Sequence, residues 1–518
     1  METEESFVHF LLNPKNYPEK SSHVTHYETH ISHIFLCDDF VYKVKKPVDF
    51  GFLNFSTLKK RHFYCNKEVI LNSRLAQNTY LGVEAIYKKG DTYSFYGKHG
   101  SRVFEYAVKM RRLPHDCILY NLIEEGRPLY GALEEVGKTL ALFHEGTVAY
   151  KGRKYGGLET VISTTEENFK QIKPFCGVSI DKRFYRELID YTHAFISKNR
   201  KTFSKRKKNG YVREGHGDLH SQHVCLTHPP TIFDCIEFNE KFRIIDVLED
   251  IAFLFMDLEY KGRFDLSTRL FKAYFAHQRD NYNEELLRFY KIYRAVIRGK
   301  VEVFRAHNAE EETTKKEGMR MAGEYFKLAD YYIHHFKEPF NPVVFMGLSG
   351  SGKSTIAKDF SPDWIVLRSD EIRKTLLGIK KEEHMFSEFG KGIYTDKITN
   401  RIYHTLLEKA ISNVLKGERV VVDATYLKSS HRKDFYRACV EKGLNPFFVH
   451  CFADEKVLRE RIKKRIAKNK DISDAHLNTL NHQIKDSEEP KELPYYRVLR
   501  LNTEERLHNI INALKEFL

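Results

Sequence analysis

Several features of secreted and membrane proteins are missing from this 518-residue sequence. No run of eighteen or more uncharged apolar residues is present, so no segment is predicted to cross a membrane as a helix. The first five residues, METEE, lack the basic and apolar regions of a secretory signal. The eight cysteines include no CxxC pair, which argues against a disulfide framework or a structural zinc site. We therefore expect a cytoplasmic protein with reduced, mostly buried thiols.

The sequence also lacks internal repeats, coiled-coil heptads and low-complexity segments. Its hydrophobic fraction of 42% excludes general disorder, and 85 Lys and Arg against 71 Asp and Glu give a net charge of +14. At roughly 100–200 residues per domain, the length predicts two to four domains. The positive charge predicts an anionic partner, and ATP, nucleic acid and an acidic metabolite all satisfy this condition.

One interruption divides the chain. Two prolines and an asparagine in the segment KEPFNP, residues 337–342, end a long helical region and precede an apolar strand. Such residues break helices and favour turns. We therefore predict one domain over residues 1–338 and a second over residues 339–518.

The first domain has two different hydrophobic patterns. Its first hundred residues are rich in β-prone runs, and Asp38-Asp39 predicts a hairpin between strands at Glu28–Cys37 and Phe40–Lys45. Helical spacing dominates further on and predicts a helical pair at Glu284–Ala306 and Glu310–Phe336. The first domain is thus predicted to have a small sheet lobe and a larger helical lobe.

Two aspartates follow each other closely within the predicted helical lobe. Asp218 lies in the segment REGHGDLH, residues 213–220, and Asp234 lies in TIFDCIEF, residues 231–238. Phosphoryl transfer from ATP uses such a pair, because one carboxylate orients the attacking hydroxyl and another holds Mg²⁺ against the phosphates. Ordinary loop carboxylates are the alternative, against which the neighbouring glycine and histidines argue.

These segments, together with EVGKTLALFH at residues 135–144, resemble the aminoglycoside phosphotransferase family, whose fold is similar to that of protein kinases. The resemblance covers about residues 25–335. It implies that Asp218 is the catalytic base and that Asp234 binds the metal. It also implies that Lys43 contacts the ATP phosphates and pairs with Glu68 on the following helix.

Two positions leave alternatives open. Lys45 and Lys46 are close in sequence to Lys43 and compete with it for the phosphate-binding role. The family places a metal-binding asparagine five positions after the catalytic aspartate, where this sequence has His223. Imidazole is a poorer Mg²⁺ ligand than an amide oxygen. Either Asp234 and Glu237 hold the metal with support from His223, or the centre is weakened, altered in substrate or inactive.

The second domain opens with a phosphate-binding motif. The segment PVVFMGLSGSGKST, residues 342–355, contains GxxxxGKS between an apolar strand and a helix-compatible run, as the motif requires. Lys353 is predicted to reach the β and γ oxygens, and Ser354 to coordinate Mg²⁺. The predicted ATP-binding residues are Gly347, Ser349, Gly350, Ser351, Gly352, Lys353, Ser354 and Thr355.

Carboxylates follow two further apolar runs in this domain. Asp370 comes just after the strand-like run that begins at Trp364, and Asp423 ends the run VVVD. Open α/β sheets bind ligands at this strand end. We predict that Asp423 organises Mg²⁺ and that Asp370 lies near the acceptor. The run PFFVHC, residues 446–451, is predicted as a third strand.

A basic helix is predicted next. The segment LRERIKKR, residues 458–465, places Arg461 and Arg465 four residues apart and so on one helix face. Two arginines on one face suit a lid that stabilises the charge of a transferring phosphate. A solvated basic helix is the alternative.

Residues 341–518 resemble the P-loop kinases that include zeta toxins, gluconate kinases and the 5′-kinase of polynucleotide repair enzymes. The resemblance is carried by GLSGSGKST, RSDEIRK, VVVDATYL and RERIKKR. It implies a three-layer fold around a parallel sheet and a role for Asp370 in activating the acceptor hydroxyl. It also implies that Arg373 binds the acceptor or its phosphate, to which a helix-surface charge is the alternative.

We therefore expect a multidomain α/β protein with an N-terminal bilobal, protein-kinase-like α+β domain and a C-terminal P-loop domain. We predict that it uses ATP and Mg²⁺ to phosphorylate a hydroxyl of a small molecule. A polynucleotide 5′-hydroxyl kinase and an ATP-regulated switch with a degenerate N-terminal domain are the alternatives. Nucleic acid is a permitted but not a required partner, no membrane partner is expected, and the sequence leaves the acceptor and the oligomeric state open.

Overall fold

The computed structural model describes residues 2–280, 282–335, 338, 340–361, 363–378, 396–468, 477–504, 511–512, 514–515 and 518. The interruption at residues 337–342 is described only at 338 and 340–342, and the basic run that reaches residue 470 is described as far as 468. Within these residues no helix combines the length and the apolar character needed to span a membrane. All eight cysteines are free thiols, and six of them are buried, as expected.

The N-terminal sheet lobe is an antiparallel sheet with the strand order β1-β2-β3-β6-β4-β5. Its elements are α1 (Glu2–Leu12), β1 (Thr25–Glu28), β2 (Ser32–Leu36), β3 (Phe40–Lys45), α2 (Leu58–Asn72), β4 (Tyr80–Lys89), β5 (Thr92–Ser94) and β6 (Arg102–Arg111). Helix α2 begins where the Thr57 side chain accepts a hydrogen bond from the backbone N–H of Lys60. This helix packs against β4 and β6 and brings Glu68 beneath the sheet.

The predicted hairpin is confirmed, but the strand preceding it is shorter than expected. Strands β2 and β3 pair on either side of Asp38-Asp39. The prediction of one continuous strand over Glu28–Cys37 was wrong, because the chain turns after Glu28 and pairs β1 with β2. The Thr29 hydroxyl accepts hydrogen bonds from the backbone N–H groups of Ile31 and Ser32 at this turn.

The helical lobe follows β6. Its elements are α3 (Leu119–Glu124), α4 (Tyr130–Gly146), α5 (Leu158–Ile172), α6 (Lys182–Lys208), β7 (Val212–Glu214), β8 (Val224–Cys225), β9 (Thr231–Ile232), α7 (Glu240–Arg243), β10 (Ile244–Asp246), α8 (Val247–Tyr260), α9 (Phe264–Ala276), α10 (Glu284–Asn308) and α11 (Glu312–His334). The predicted helical pair is confirmed as α10 and α11, which pack along each other. Every residue of α8 is buried, so this helix forms the centre of the lobe.

The C-terminal region is a five-stranded parallel sheet with the strand order β12-β13-β11-β14-β15. Its elements are β11 (Val343–Met346), α12 (Lys353–Lys358), β12 (Ile365–Arg368), α13 (Ser369–Leu376), α14 (Asp396–Val414), β13 (Val420–Asp423), α15 (Ser429–Glu441), β14 (Phe447–Phe452), α16 (Glu455–Lys468), α17 (Leu477–Asp486) and β15 (Val498–Asn502). The predicted parallel α/β fold is confirmed, and β15 is a strand that the sequence analysis did not anticipate.

The two faces of the parallel sheet have different coverings. The alternate residues Val344, Met346, Val420, Val422, Phe448 and Val498 form one hydrophobic cluster with α14 and α15. The intervening residues Val343, Phe345, Val421, Phe447, Val449 and Leu499 belong to the same cluster as the core of the helical lobe. A buried parallel sheet requires both faces to be covered. Here part of one face is covered by the helical lobe of the N-terminal region.

Four aromatic residues form the centre of this contact. We call Phe264, Tyr331, Phe340 and Phe447 the interdomain aromatic cluster; the ring centroids are 5.1 Å apart for Phe264 and Phe340 and 4.5 Å apart for Phe340 and Phe447. The Arg497 guanidinium lies 5.2 Å from the Phe340 ring centroid. The hydrophobic core therefore continues across the predicted boundary at residues 338 and 339, and that boundary stays a prediction about chain organisation.

Polar contacts flank the aromatic cluster. The Tyr495 hydroxyl donates to Glu124 Oε1 at 2.8 Å, and Lys261 Nζ donates to the same oxygen at 2.8 Å. At the end of β15, the backbone N–H of Asn502 donates to the carbonyl of Gly126 at 3.0 Å. A methyl group at Gly126 would lie 2.7 Å from that nitrogen, which is closer than packing allows. The turn between α3 and α4 is thus fitted closely against the end of the parallel sheet.

We predict that Phe264→Ala destabilises both regions together. Removing this buried ring from the interdomain aromatic cluster costs about 3–5 kcal/mol. The only tryptophan, Trp364, lies in the C-terminal region and reports its unfolding by fluorescence, whereas circular dichroism follows all helices. Urea unfolding should show the same shift by both signals.

The matched control is Phe63→Ala, because the Phe63 side chain is largely exposed and the change should stay within about 0.5 kcal/mol. A Phe264→Ala protein whose Trp364 transition does not move would contradict the shared core.

Candidate active sites

The N-terminal region brings a lysine and two carboxylates together between its lobes. Lys43 Nζ on β3 lies 2.6 Å from Asp234 Oδ1 and 2.9 Å from Glu68 Oε1. Burial alone would lower the pKa of Lys43, but the charges of Asp234 and Glu68 raise it well above its usual value. The lysine and the glutamate proposed from the sequence are therefore in contact, and the predicted metal-binding aspartate joins them.

The competing lysines have different surroundings. Lys45 is fully buried, and its Nζ donates to Glu68 Oε2 at 2.6 Å and to Glu237. Lys46 is paired with Glu28 on β1, at the edge of the sheet. Of the three, Lys43 is the lysine that contacts Asp234, whereas Lys45 binds Glu68 of the sheet lobe and Glu237 of the helical lobe. The assignment of Lys43 to ATP stays a prediction that this arrangement favours.

Asp218 and His223 meet Asp234 at the opposite side of the cleft. His223 Nδ1 lies 2.9 Å from the carbonyl oxygen of Asp218, and His223 Nε2 lies 3.5 Å from Asp234 Oδ2. His220 Nε2 lies 3.5 Å from Asp218 Oδ2. Burial would raise the pKa of the Asp218 carboxyl, but His220, His223 and Arg298 hold it below its ordinary value. Asp218 is thus kept ionised, as a proton acceptor requires.

The Asp234 backbone has an uncommon conformation. Its φ angle is +62°, which lies in the left-handed region that aspartate adopts more readily than most residues. Its backbone N–H donates to the Tyr80 hydroxyl at 3.1 Å. Such conformations persist where the surrounding structure imposes them, and they concentrate at functional sites.

The loop that carries Asp218 rests on residues that the sequence analysis missed. Asp250 Oδ2 accepts from the backbone N–H of His216 at 2.7 Å, and Asp250 Oδ1 accepts from that of Gly217 at 2.8 Å. His144 Nε2 lies 3.0 Å from Asp250 Oδ2. From the other side, Arg294 Nη1 donates to the Gly217 carbonyl at 3.1 Å. Asp250 and Arg294 are therefore positioning residues for the loop.

The sequence of α8 indicates that its acidic residues have buried partners, although no local motif identifies Asp250. Helix α8 is apolar along most of its length, yet it contains Glu249, Asp250, Asp257 and Glu259. Acidic residues within a helix that is apolar all round must find buried partners. Asp257 does so by accepting a hydrogen bond from the backbone N–H of Ser221, three residues beyond Asp218.

The C-terminal candidate site begins at the loop between β11 and α12. Gly347 has a φ angle of +137°, and a methyl group there would lie 2.1 Å from the Cys451 carbonyl oxygen. Gly350 has a φ angle of +84° and would clash similarly with the Leu458 carbonyl. Glycine is required at both positions because larger residues have neither the conformation nor the space. The predicted loop is thus held between β14 and α16.

The charged residues of the motif lie at the carboxyl edge of the sheet. Lys353 is buried, and its Nζ donates to the Leu348 carbonyl within the loop at 3.3 Å. Ser354 Oγ donates to Asp423 Oδ1 at 3.1 Å. Arg368, opposite Asp423 on the neighbouring strand, donates from Nε to Asp423 Oδ2 at 3.2 Å. The predicted Mg²⁺ ligands Ser354 and Asp423 are therefore adjacent.

The remaining loop residues are fixed by the segments around β15 and α17. The backbone N–H of Ser349 donates to Gln483 Oε1 at 2.9 Å, and the Thr503 hydroxyl donates to the Ser351 carbonyl at 2.8 Å. Gly352 precedes α12, and Thr355 is exposed in its first turn. Gln483 and Thr503 are further positioning residues that no sequence motif indicated.

The two arginines of the predicted lid are on α16. Arg461 Nη1 donates to the Thr503 hydroxyl at 2.9 Å, and Arg461 Nη2 donates to the Thr503 carbonyl at 2.6 Å. The same guanidinium reaches the Gly350 carbonyl at 3.3 Å. Arg465 is half-buried one turn further along. Arg461 thus links α16 to the phosphate-binding loop, and the catalytic role of both arginines stays a prediction.

Asp370 and Arg373 are in the first and last turns of α13, directly after β12. Burial raises the pKa of the Tyr403 hydroxyl, and the nearby charges of Asp370 and Arg373 also act on this pKa. The same hydroxyl lies 3.0 Å from Thr425 Oγ1, just beyond the end of β13. The structure therefore places Asp370 at the carboxyl edge of the sheet, on the same side as Asp423. Residues 379–395, which follow α13, lie outside the described part of the chain.

Comparison with known proteins gives one match to a family model and several relatives that share most of the chain. Residues 343–490 match a family model described as an AAA domain, which confirms the predicted P-loop class of the C-terminal region. Uncharacterized proteins of Mycobacterium tuberculosis and Mycobacterium bovis are 29% identical over 452 residues, covering 86% of this chain and 87% of theirs. These relatives therefore span both regions.

Solved structures are similar to each region separately. A gluconokinase from Sinorhizobium meliloti 1021 is 23% identical, covering 35% of this chain and 93% of its own, with a TM-score of 0.26. A choline/ethanolamine kinase family protein from Mesorhizobium loti is 12% identical, covering 64% of this chain and 95% of its own, with a TM-score of 0.39. The fold class rests on the strand orders described above, which are antiparallel in the sheet lobe and parallel in the C-terminal region.

We predict that Asp250→Asn flattens the acid dependence of stability. Burial would raise the pKa of Asp250, but its hydrogen bonds with His144 and the backbone of His216 lower it below the unfolded value of about 3.9. The stabilisation is present above pH 4 and is lost as the pH falls toward the folded pKa. Below pH 4 this carboxyl makes the free energy of unfolding fall by up to about 1.4 kcal/mol per pH unit, and Asp250→Asn should lack this contribution.

The measurement is urea unfolding between pH 3 and pH 7, with Asp190→Asn on the exposed face of α6 as the control. The free energy of unfolding at neutral pH should also fall for Asp250→Asn, because an amide NH₂ replaces an acceptor of backbone N–H groups. An unchanged slope would contradict a buried, ionised Asp250.

Proposed function

We propose that this protein is an ATP-dependent phosphotransferase that transfers the γ-phosphate to a hydroxyl of a small-molecule acceptor through its C-terminal P-loop centre. The observation that carries the proposal is the adjacency of Ser354 and Asp423, 3.1 Å apart beside the loop that contains Lys353. A phosphate-binding loop with a cation-binding pair at its end suits a nucleoside triphosphate.

The oxygen donors of this site fit Mg²⁺. Ser354 Oγ and the Asp423 carboxylate are hard ligands of the kind that Mg²⁺ prefers, and they would hold it with phosphate oxygens and water. When bound, the ion neutralises charge on the phosphates. Lys353 would turn from the Leu348 carbonyl to the β and γ oxygens, and the backbone N–H groups of the loop would surround them.

The acceptor would bind beside α13. Asp370 is proposed to accept the proton of the attacking hydroxyl, and Arg373 to bind the acceptor or its phosphate. Arg461 and Arg465 are proposed as the lid arginines. Because Arg461 contacts both Gly350 and Thr503, movement of α16 would be transmitted directly to the phosphate-binding loop.

We infer that the N-terminal region contains a second nucleotide-binding centre. Lys43 and Glu68 would bind and orient the phosphates, and Asp218 would act as the base toward a second hydroxyl acceptor. The support is the chain of contacts from Glu68 through Lys43 to Asp234 and His223. ATP would thus be the shared substrate of both centres.

We predict that Lys353→Ala reduces acceptor-dependent ATP consumption at the C-terminal centre by 10²–10³-fold. Loss of a preorganised charge at the transferring phosphate has about this effect. The matched control is Lys358→Ala, an exposed lysine at the end of the same helix, which should leave the rate unchanged. Unchanged turnover in Lys353→Ala, with an intact circular dichroism spectrum, would refute the assignment.

Comparing Asp218→Asn with Lys353→Ala separates the two centres. The full-length chain is screened with labelled ATP against sugars, amino alcohols and oligonucleotides with a 5′-hydroxyl. A product lost only in Lys353→Ala belongs to the C-terminal centre, and one lost only in Asp218→Asn belongs to the N-terminal centre. ATP binding without any acceptor-dependent turnover would instead indicate a nucleotide-controlled switch.

A further inference from the structure

The His223 ring stands between the two aspartates of the N-terminal centre. Its Nδ1 lies 2.9 Å from the Asp218 carbonyl oxygen, which can only accept a hydrogen bond, so Nδ1 carries the proton and donates. In the neutral imidazole, Nε2 is then an unprotonated acceptor. A metal-binding histidine is commonly oriented in this way by a backbone carbonyl.

The atom that faces Nε2 is also an acceptor. Asp234 Oδ2 lies 3.5 Å from His223 Nε2. With the proton on Nδ1, a neutral ring leaves the Nε2 lone pair free to bind a cation together with the Asp234 carboxylate. Ligand nitrogen and oxygen atoms lie roughly 2.0–2.2 Å from Zn²⁺, so two ligands of one tetrahedral zinc ion are about 3.4 Å apart. The observed separation matches that of two ligands of a single ion.

Further side chains that can bind a metal ion surround His223 and Asp234. One ligand atom each from Asp218, His220 and His223 lie within 4.8 Å of one another. The His220 ring is buried and lies beside that of His223, with 4.0 Å between the ring centroids and 34° between the ring planes. The centre therefore offers a mixed set of imidazole and carboxylate ligands, unlike the oxygen ligands Ser354 and Asp423 of the C-terminal site.

We propose that the N-terminal centre binds a divalent transition-metal ion in preference to Mg²⁺, with His223 Nε2 and the Asp234 carboxylate as ligands. Mg²⁺ favours oxygen ligands, whereas imidazole binds the first-row transition ions. Mn²⁺ is the weakest binder of that series, so its retention is a strict test. The inference builds on the proposed phosphate-handling role of the centre, but ion binding is measured without turnover, so the two can fail separately.

The described residues contain two other groups that could hold an ion. The group of His26, Glu28 and His33 lies on β1 and β2 of the sheet lobe, and its Glu28 pairs with Lys46 as Asp234 pairs with Lys43. In the group of Glu187, Asp330 and His334 the histidine is exposed and the two carboxylates are half-buried, whereas His220 of the N-terminal centre is buried. Because an added ion can also bind at these groups, the experiment needs a control variant of a histidine outside the N-terminal centre. His33 is that histidine.

The experiment is an electron paramagnetic resonance titration of the full-length, nucleotide-free protein with Mn²⁺. Pulsed measurements detect the coupling of the electron spin to a directly bound ¹⁴N nucleus. We expect one tightly bound Mn²⁺ with ¹⁴N coupling that persists in a tenfold excess of Mg²⁺. His223→Asn should remove the coupling of His223, weaken Mn²⁺ binding at least tenfold and let Mg²⁺ compete, because the amide offers an oxygen ligand.

His33→Asn is the matched control and should leave both the ¹⁴N coupling and the Mn²⁺ affinity unchanged. His223→Gln gives a second variant of different length, and circular dichroism verifies that each variant is folded. The proposal is overturned if the wild-type protein shows no ¹⁴N-coupled Mn²⁺, if equimolar Mg²⁺ displaces it, or if both folded His223 variants keep the wild-type affinity and coupling. The last result would assign the ion to another histidine.

Discussion

The need to cover both faces of a parallel sheet determines how this protein is assembled. One face of the C-terminal sheet packs against its own helices α14 and α15, while part of the other joins the core of the helical lobe. Phe340, at the predicted interruption of the chain, is itself buried between Phe264 and Phe447. Composition and turn residues predict a boundary between two domains at this point. The structure has a continuous apolar interface there.

Both candidate sites depend on contacts made around this interface. The Gly126 carbonyl accepts a hydrogen bond from Asn502 at the end of β15. Thr503, which follows Asn502, accepts a hydrogen bond from Arg461 and donates one to the Ser351 carbonyl of the phosphate-binding loop. In the helical lobe, Asp250 on the central helix α8 holds the loop that carries Asp218. Asp218 and the glycines of the phosphate-binding motif lie on loops, but buried polar residues fix those loops on rigid elements, which is how sites become preorganised.

Sequence motifs predicted residues whose chemistry requires fixed local spacing. They missed residues that contact the candidate sites in space but are far from them in the sequence. The glycines of the phosphate-binding loop follow from the motif, and the structure explains each by backbone conformation and space. Asp250 and Thr503 had no such signature, because they are 34 and 152 residues from the backbone groups that they bind. The turn at Thr29 was missed because a β-prone run concealed a hydroxyl that competes with the strand.

The shared core also limits how the cleft between the two lobes of the N-terminal region can open. The helical lobe and the C-terminal region are joined through this core. The sheet lobe is therefore the smaller of the two bodies that flank the cleft. Opening must break or stretch the bonds of Lys43 to Asp234 and of Lys45 to Glu237, which cross between the lobes. These two ion pairs therefore resist separation of the two lobes.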